Sequence, residues 1–270
     1  MNLILTLIAL TLTPVALWGA EITVSDIKSL PKVDVIVLGE VHDNPSHHQN
    51  QAMAVAILAP PALVFEMLTP DQAARVTPQN RQNAAMLAQV LGWEGTGWPD
   101  FALYYPIFAA APQARIYGGN LPRGQVRRAI TEGAAAVFGQ KGQRFGLDLP
   151  LDATEQSTRE ADQMSAHCDA LPSSMLGGMV QAQRLRDAAL ADAVLTAFAQ
   201  TGGPVVLITG NGHARTDWGV PALIVRADPT LNIRSIGQFE ETAPPNPPYE
   251  DFIITPSQPR PDPCLAFRKG

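Results

Sequence analysis

The sequence predicts an α/β fold in which a mainly parallel sheet is flanked by helices and carries a helical insertion subdomain. Short apolar runs alternate with longer helical patterns, and this alternation is typical of strands joined by crossover helices. Several of the apolar runs end in glycine next to a polar or charged residue. Hydrophobic residues make up 46% of the 270 residues and charged residues 16%, which indicates a globular domain with a large core.

The predicted elements follow one another along the chain. The run VDVIVL at 33–38 is the first strand, and a helix at 46–58 follows it, with Ser46 as its N-cap and two prolines as its stop. The helical stretches at about 70–112 and 153–200 are interpreted as insertions, the second of them broken near Pro172 and at Gly177 and Gly178. The further strands are predicted at 63–65, 115–117, 204–209, 222–225 and 233–236, and the further helices at 70–90, 101–111, 125–138 and within 153–200.

The two ends of the chain differ from the predicted domain at 21–242. Residues 1–20 carry no charged side chain, and their apolar run is shorter than the roughly 20 residues that a membrane-spanning helix needs. We therefore expect a signal peptide that ends at Gly19 and Ala20, rather than a retained anchor or a core helix. Residues 243–270 form a proline-rich tail, for which no regular structure is expected.

The two cysteines, Cys168 and Cys264, fit an oxidising compartment. A disulfide between them would attach the tail to the body of the protein, and it is favoured slightly over two unpaired thiols.

Polar side chains follow four of the predicted strands directly. Because the carboxyl ends of parallel strands lie along one edge of a sheet, where open α/β folds bind ligands, these side chains are expected to meet. The sequence therefore predicts one pocket that contains Glu40, His42, Glu66, Asn120, Asn211 and His213.

The acidic and imidazole groups of this set suit two kinds of chemistry. Two carboxylates held close together share a proton or bind a cation, and histidine completes a typical site for a divalent metal. Glu40, His42, Glu66 and His213 are therefore candidate metal ligands and candidate catalytic residues of a hydrolase, in which the metal would acidify a bound water. A metal-free variant would use Glu40 as the general base. The alternative is that these groups cap the next helix and pair with their neighbours.

Other polar residues near this set have open roles. His48 faces either the pocket or solvent, whereas His47 is expected to point to solvent. Arg184 and Asp187 lie on one predicted helix face and are close enough to pair, with Gln183 also in reach of Asp187, and the sequence leaves open whether this face covers the pocket.

Aromatic residues crowd a glycine-rich region between 93 and 105. Trp93, Trp98, Tyr104 and Tyr105 would suit the floor of a site for a flat ligand, although core packing is expected for at least two of them. A tyrosine or histidine here would also suit axial ligation of haem iron.

Some functions are disfavoured by the sequence. The formal charge is −6 and the basic residues are scattered, so nucleic acid is not an expected partner. Neither a glycine-rich phosphate loop nor a serine nucleophile elbow occurs, so nucleotide binding and ordinary serine hydrolysis have no support.

The chain resembles the ChaN-like haem-binding family, which belongs to a superfamily with the TIKI proteins and the erythromycin esterases. The resemblance extends from about residue 33 to residue 225 and is carried by LGEVHDNPSHHQ, VFEM, the stretch from YYPIF to GGNLPR, AQRLRDAALA and ITGNGHARTDWGVP. It implies an α/β fold with a helical subdomain, bacterial export, and haem binding linked to iron acquisition. It also implies a homodimer around haem and an outer-membrane haem receptor as partners.

The resemblance leaves the residues that hold haem open. The candidate axial ligands are Tyr104, Tyr105, His48 and His167, and the further candidate haem-binding residues are Asn120, Arg184, Asp187 and Asn211. The lipid-anchor cysteine of many family members is absent, which indicates a soluble periplasmic form. The expected function is thus an exported haem-binding protein of haem or iron uptake. The alternative is a metal-dependent hydrolase of esterase or peptidase type, and the resemblance does not decide whether the protein is an enzyme.

Overall fold

The computed structural model describes residues 19–266, in which seven parallel strands form one sheet. The strands are β1 (Ala20–Glu21), β2 (Val35–Leu38), β3 (Ala62–Phe65), β4 (Arg115–Gly118), β5 (Val205–Ile208), β6 (Ile233–Glu240) and β7 (Asp251–Thr255). Their order across the sheet is β1-β7-β6-β2-β5-β3-β4. This sheet confirms the predicted fold class. Nearly all of the predicted signal peptide, residues 1–18, lies outside the described residues.

Helices cover both faces of the sheet. They are α1 (Pro45–Leu58), α2 (Pro70–Ala73), α3 (Ala84–Leu91), α4 (Phe101–Ala110), α5 (Arg123–Glu132), α6 (Ala134–Phe138), α7 (Ala153–Ala166), α8 (Ser173–Thr201), α9 (Asn211–Ala214) and α10 (Val220–Ala227). None of the helices in the described part of the chain is long and apolar enough to cross a membrane.

The sheet has two cores because successive side chains of a strand point to opposite faces. In β2, Ile36 and Leu38 pack in the core that includes residues of α1 and α4, whereas Val35 and Val37 pack in the core that includes residues of α8 and α10. All four residues of β2, β3 and β5 are buried. This double burial explains why the sequence reads as continuous apolar runs rather than as alternating patterns.

The tail is where the sequence prediction is wrong, because residues 251–255 form β7. This strand pairs in parallel with β6 on one side and with β1 on the other. The prolines lie before and after the segment DFIIT, and its buried residues alternate as expected for a strand. The disulfide between Cys168 and Cys264 is confirmed, with the two Cα atoms 5.4 Å apart.

Several element boundaries also differ from the predictions. The stretch predicted as a strand at 222–225 lies within α10, because a short apolar run does not distinguish a strand from a buried helix. Helix α1 begins at Pro45, and its N-cap is Asn44 rather than Ser46, since the Asn44 side chain accepts from the backbone N–H of Ser46 at 2.8 Å. The predicted helix at 70–90 consists of α2, a 3₁₀ turn and α3, and the one at 125–138 is divided at Gly133. The pair Gly177–Gly178 lies inside α8 and does not break it.

Candidate functional site

A cleft opens at the carboxyl ends of the three adjacent strands β2, β5 and β3. The last residues of these strands, Leu38, Ile208 and Phe65, are paired with one another in register, so the residues that follow them lie side by side. The cleft has a volume of about 450 Å3, and we call it the imidazole cleft. Its lining contains five of the six residues that the strand ends predict, namely Glu40, His42, Glu66, Asn211 and His213.

Asn120, the sixth residue of that set, does not line the imidazole cleft. It follows β4, the edge strand, and lines two neighbouring clefts instead. The side chain of Asn211 is used structurally, because it donates to the backbone oxygen of Gln238 at 2.6 Å and accepts from the backbone N–H of the same residue at 3.1 Å.

Glu66 is the centre of a buried ionic network. One carboxylate oxygen accepts from the Thr209 hydroxyl at 2.7 Å and from the Gly210 backbone N–H at 2.8 Å. The other oxygen accepts from the Arg186 guanidinium at 2.6 Å and lies 3.3 Å from Nε2 of His213. Burial alone would raise the pKa of Glu66, but the cationic neighbours, His213 first, hold it well below its ordinary value. Glu66 is therefore an ionised carboxylate with both oxygens bonded.

His213 lies between two carboxylates. Its Nδ1 is 2.6 Å from Oδ1 of Asp187 and 3.0 Å from the side-chain amide of Gln183, while its Nε2 faces Glu66. Burial alone would lower the pKa of His213, but the charges of Glu66 and Asp187 outweigh it and raise the pKa to about 9. The ring is therefore an imidazolium at neutral pH, and it neutralises part of the buried negative charge.

Glu40 organises a second group of side chains. Its Oε1 accepts from Nδ1 of His42 at 2.7 Å and from the Tyr104 hydroxyl at 3.1 Å. Its Oε2 has no hydrogen-bond partner within residues 19–266 and lies 3.5 Å from the equally unpaired Nδ1 of His48. Burial would lower the pKa of His42, but the hydrogen bond to Glu40 and the charge of Glu66 raise it above the ordinary value.

His42 is the histidine of this group that reaches the cleft. Its side chain is 35% exposed, whereas that of His48 is 1% exposed. The ring contacts Trp98, with the two centroids 4.9 Å apart. Because Nδ1 is bonded to Glu40 and no described residue bonds Nε2, the second nitrogen is available to a ligand in the cleft.

His47 is buried, and the prediction that it points to solvent is wrong. Its Nδ1 accepts from the backbone N–H of Val41 at 2.8 Å, and its Nε2 donates to the Thr255 hydroxyl at 2.9 Å. Burial lowers the pKa of His47 to about 4, so the ring is neutral at physiological pH. Thr255 belongs to β7, and this unexpected strand is the reason that His47 is covered.

The pair that the spacing of Arg184 and Asp187 allows does not form, because each residue has another partner. Arg184 donates to the backbone oxygens of Gly146 at 2.8 Å and Leu149 at 3.0 Å, while Asp187 binds His213. Both residues are buried, which agrees with the predicted inward face of the helix. Asp187 therefore supports the site by holding His213, and Arg184 fixes the loop before α7.

The four candidate haem ligands named from the resemblance lie outside the lining of the imidazole cleft. Tyr104 is fully buried, and its pKa is raised by burial and by the adjacent Glu40. His48 is also buried, with its Nε2 bonded to the backbone oxygen of His42. Tyr105 and His167 are half-buried; the first donates to the backbone oxygen of Arg81 at 3.3 Å, and Nδ1 of the second lies 2.8 Å from the backbone oxygen of Gln163.

The aromatic residues of the glycine-rich region have different roles. Trp93 is buried in the core, and its indole N–H donates to the backbone oxygen of Pro99 at 2.7 Å. Trp98 is half-buried against His42, so it is the aromatic side chain of this region nearest to the cleft.

Arg186 is a site residue that the sequence did not predict, as are Arg159, Asp162, Gln163, Arg215 and Trp218, which also line the cleft. It lies on α8 three positions after Gln183 and one before Asp187, and all three side chains reach the Glu66–His213 network or the cleft around it. The spacing of Gln183, Arg186 and Asp187 at i, i+3 and i+4 marks this shared face in the sequence.

The predicted divalent-metal site finds no support. Within residues 19–266, no group of three histidine, cysteine or acidic side chains could hold a metal ion. The reason is visible in the geometry, since both oxygens of Glu66 and both ring nitrogens of His213 already face protein partners. A metal-dependent hydrolase is therefore not favoured.

Comparisons with known proteins identify a family and a similar fold. The family model described as "Haem-binding uptake, Tiki superfamily, ChaN" matches residues 27–224. Among solved structures, "Cofacial heme binding to ChaN of Campylobacter jejuni" has a TM-score of 0.62 at 20% sequence identity, covering 83% of this chain and 89% of that one. The type III effector HopBA1 has a TM-score of 0.43 at 12% identity and covers 87% of this chain and 92% of its own. A search among curated proteins found no match.

Proposed function

Because this chain belongs to the ChaN family of haem-binding uptake proteins in the Tiki superfamily, we propose that it binds haem in the imidazole cleft and serves haem or iron uptake outside the cytoplasm. The fold resembles that of the ChaN protein of Campylobacter jejuni, whose structure contains cofacial haem. The cleft volume of about 450 Å3 falls in the range of small-molecule sites, roughly 300–1,000 Å3.

The observation that carries this proposal is the environment of His42. Histidines that ligate metals almost always donate their second ring N–H to a carboxylate or a carbonyl. Nδ1 of His42 donates to Glu40, Nε2 has no hydrogen-bond partner in the described chain, and the residue lines the cleft. We therefore propose that His42 would bind the haem iron, with Glu40 holding the ring in place and Trp98 beside it.

The positions of the other candidate haem ligands make them less suitable than His42 to bind the iron. Ligation by Tyr104 or His48 would break the hydrogen bonds and contacts that both make at Glu40 and would require buried atoms to become accessible. Tyr105 and His167 lie outside the lining of the cleft. They serve as matched controls for His42.

A hemin titration tests the proposed function. The purified protein should give a saturable Soret band with the spectrum of a histidine-ligated haem, and His42→Ala should lose that spectrum. Tyr105→Phe and His167→Ala should keep it. If wild-type protein at micromolar concentration does not shift the hemin spectrum, the proposal is wrong. If Tyr105→Phe or His167→Ala loses the histidine-ligated spectrum, the replaced residue rather than His42 binds the iron.

We propose that the protein works in the periplasm or another exported location, after removal of a signal peptide. The disulfide between Cys168 and Cys264 supports this location, since such bonds persist in oxidising compartments. Mass spectrometry of protein from the periplasmic fraction should give a chain that starts at Glu21. Recovery of full-length protein in the cytosolic fraction alone would contradict export.

The partners implied by the family remain part of the proposal. A homodimer that forms around haem would appear in size-exclusion chromatography as a doubling of mass on addition of hemin, and an unchanged mass would exclude it. Delivery by an outer-membrane haem receptor would appear as retention of the haem-loaded protein by receptor in a pull-down, with the haem-free protein as control.

A further inference from the structure

A second cleft lies beside the imidazole cleft and is lined by positive charge. It has a volume of about 420 Å3, and its lining includes Arg123, Arg127, Arg186 and Trp98. No aspartate or glutamate lines it, although the chain as a whole carries a formal charge of −6. We call this feature the arginine cleft.

Two of these arginines have no acidic partner. Arg127 makes no hydrogen bond or ion pair within residues 19–266, and Arg123 donates only to the backbone oxygen of Thr96, at 3.0 Å. The adjacent Arg128, which does not line the cleft, is paired with Glu132 at 2.7 Å. The charges of Arg123 and Arg127 are thus uncompensated, whereas Arg186 is paired with Glu66 and Arg128, next to Arg127 on the same helix, is paired with Glu132.

The local backbone adds to this positive potential. Helix α5 begins at Arg123, and no side chain caps its N-terminus. The free N–H groups and the dipole of a helix N-terminus favour an anion, and Arg123 and Arg127 belong to the first two turns of this helix.

The arginine cleft and the imidazole cleft are neighbours that share a lining residue. Arg186 lines both of them, with its guanidinium bonded to Glu66. Trp98 lines the arginine cleft and contacts the ring of His42, which lines the other. A flat ligand seated at His42 would therefore extend along Trp98 towards the arginines.

We propose that the arginine cleft binds the two carboxylates of the porphyrin, which rests on the proposed function. Guanidinium groups bind carboxylates through paired, charge-assisted hydrogen bonds, and Arg123 and Arg127 are the groups free to do so. Leu121 and Val126 line the same cleft and supply apolar contact for the edge of the macrocycle. The cleft thus selects a planar ligand with acidic groups on one edge.

The test compares hemin with hemin dimethyl ester, in which the two carboxylates carry no charge. Wild-type protein should bind hemin about tenfold more tightly than the diester, since charge-assisted hydrogen bonds contribute on this scale. The double variant Arg123→Gln/Arg127→Gln should lose about tenfold in hemin affinity and none in affinity for the diester. Arg128→Gln is the matched control and should behave as wild type. The arginines at 123 and 127 are exposed, and circular dichroism checks that the variants are folded.

The outcomes separate this inference from the proposed function. Equal affinity of wild type for hemin and the diester, or unchanged hemin affinity in the double variant, would overturn the inference while leaving haem binding at His42 intact. Absence of hemin binding by wild type would overturn both. A loss in Arg128→Gln equal to that in the double variant would show a nonspecific effect of surface charge and would also overturn the inference.

Discussion

Replacement of His213 by glutamine removes the positive charge between the buried carboxylates of Glu66 and Asp187. The pKa of His213 rises from its ordinary value of 6.5 to about 9 in the folded protein. This shift contributes about 3 kcal/mol to the free energy of unfolding. No discount for solvent applies, because the side chain is only 6% exposed. The charge of His213 is therefore expected to be one of the largest single electrostatic contributions in this protein.

The sign of the pH dependence follows from the direction of the shift. The folded protein holds the proton on His213 more tightly than the unfolded chain, so the stabilisation is fully present below pH 6.5. It is lost as the pH rises towards 9 and beyond, where the folded protein also releases the proton.

Urea unfolding between pH 6 and pH 10 measures this effect. The free energy of unfolding of wild type should fall by about 3 kcal/mol more over this range than that of His213→Gln. His47→Gln is a control, since the pKa of His47 is about 4 and its ring does not titrate above pH 6.5 in the folded protein. Parallel pH profiles for wild type and His213→Gln would refute the assignment of a buried imidazolium.

Three further predictions concern other parts of the molecule. Replacement of Cys168 and Cys264 by serine removes a disulfide between residues 96 positions apart, and in the chain-entropy model it should lower the free energy of unfolding by about 4–5 kcal/mol. Equal stability of the variant and wild type in urea denaturation would contradict this. Ile253→Ala should lower the free energy of unfolding by about 2–4 kcal/mol, because the side chain is buried in β7. A loss below about 0.5 kcal/mol, as for an exposed residue, would show that β7 is not part of the fold. Tyr104→Phe should cost about 1 kcal/mol through the lost hydrogen bond to Glu40, and an unchanged denaturation midpoint would exclude that bond.

The central part of the fold was predictable because its strands are buried on both faces. The runs at 33–38, 63–65 and 204–209 are short, mostly apolar segments that are typical of strands in a sheet covered on both faces. β7 was not predictable in the same way, since the surrounding prolines dominate the local pattern. The predicted strand at 222–225 was wrong for another reason, because the apolar run is too short to show a helical period.

The candidate site was predictable where topology alone determines it. Glu40, Glu66 and His213 follow adjacent parallel strands, so the order of the strands alone brings these positions together. The partners were not predictable, because they depend on packing between distant segments. Arg186 meets Glu66 across 120 positions of the sequence, and His47 is covered by a strand that begins more than 200 positions later. The helical spacing places Arg186 on the same face as Asp187, but nothing local in the sequence identifies Glu66 or Thr255 as the distant partner.

The most direct test of the account is the optical spectrum of the hemin complex of His42→Tyr. If His42 is the axial ligand, the spectrum changes from that of a histidine-ligated haem in wild type to that of a tyrosinate-ligated haem in the variant. A spectrum identical to that of wild type would show that haem iron is held by another residue, and the imidazole cleft would no longer be its site.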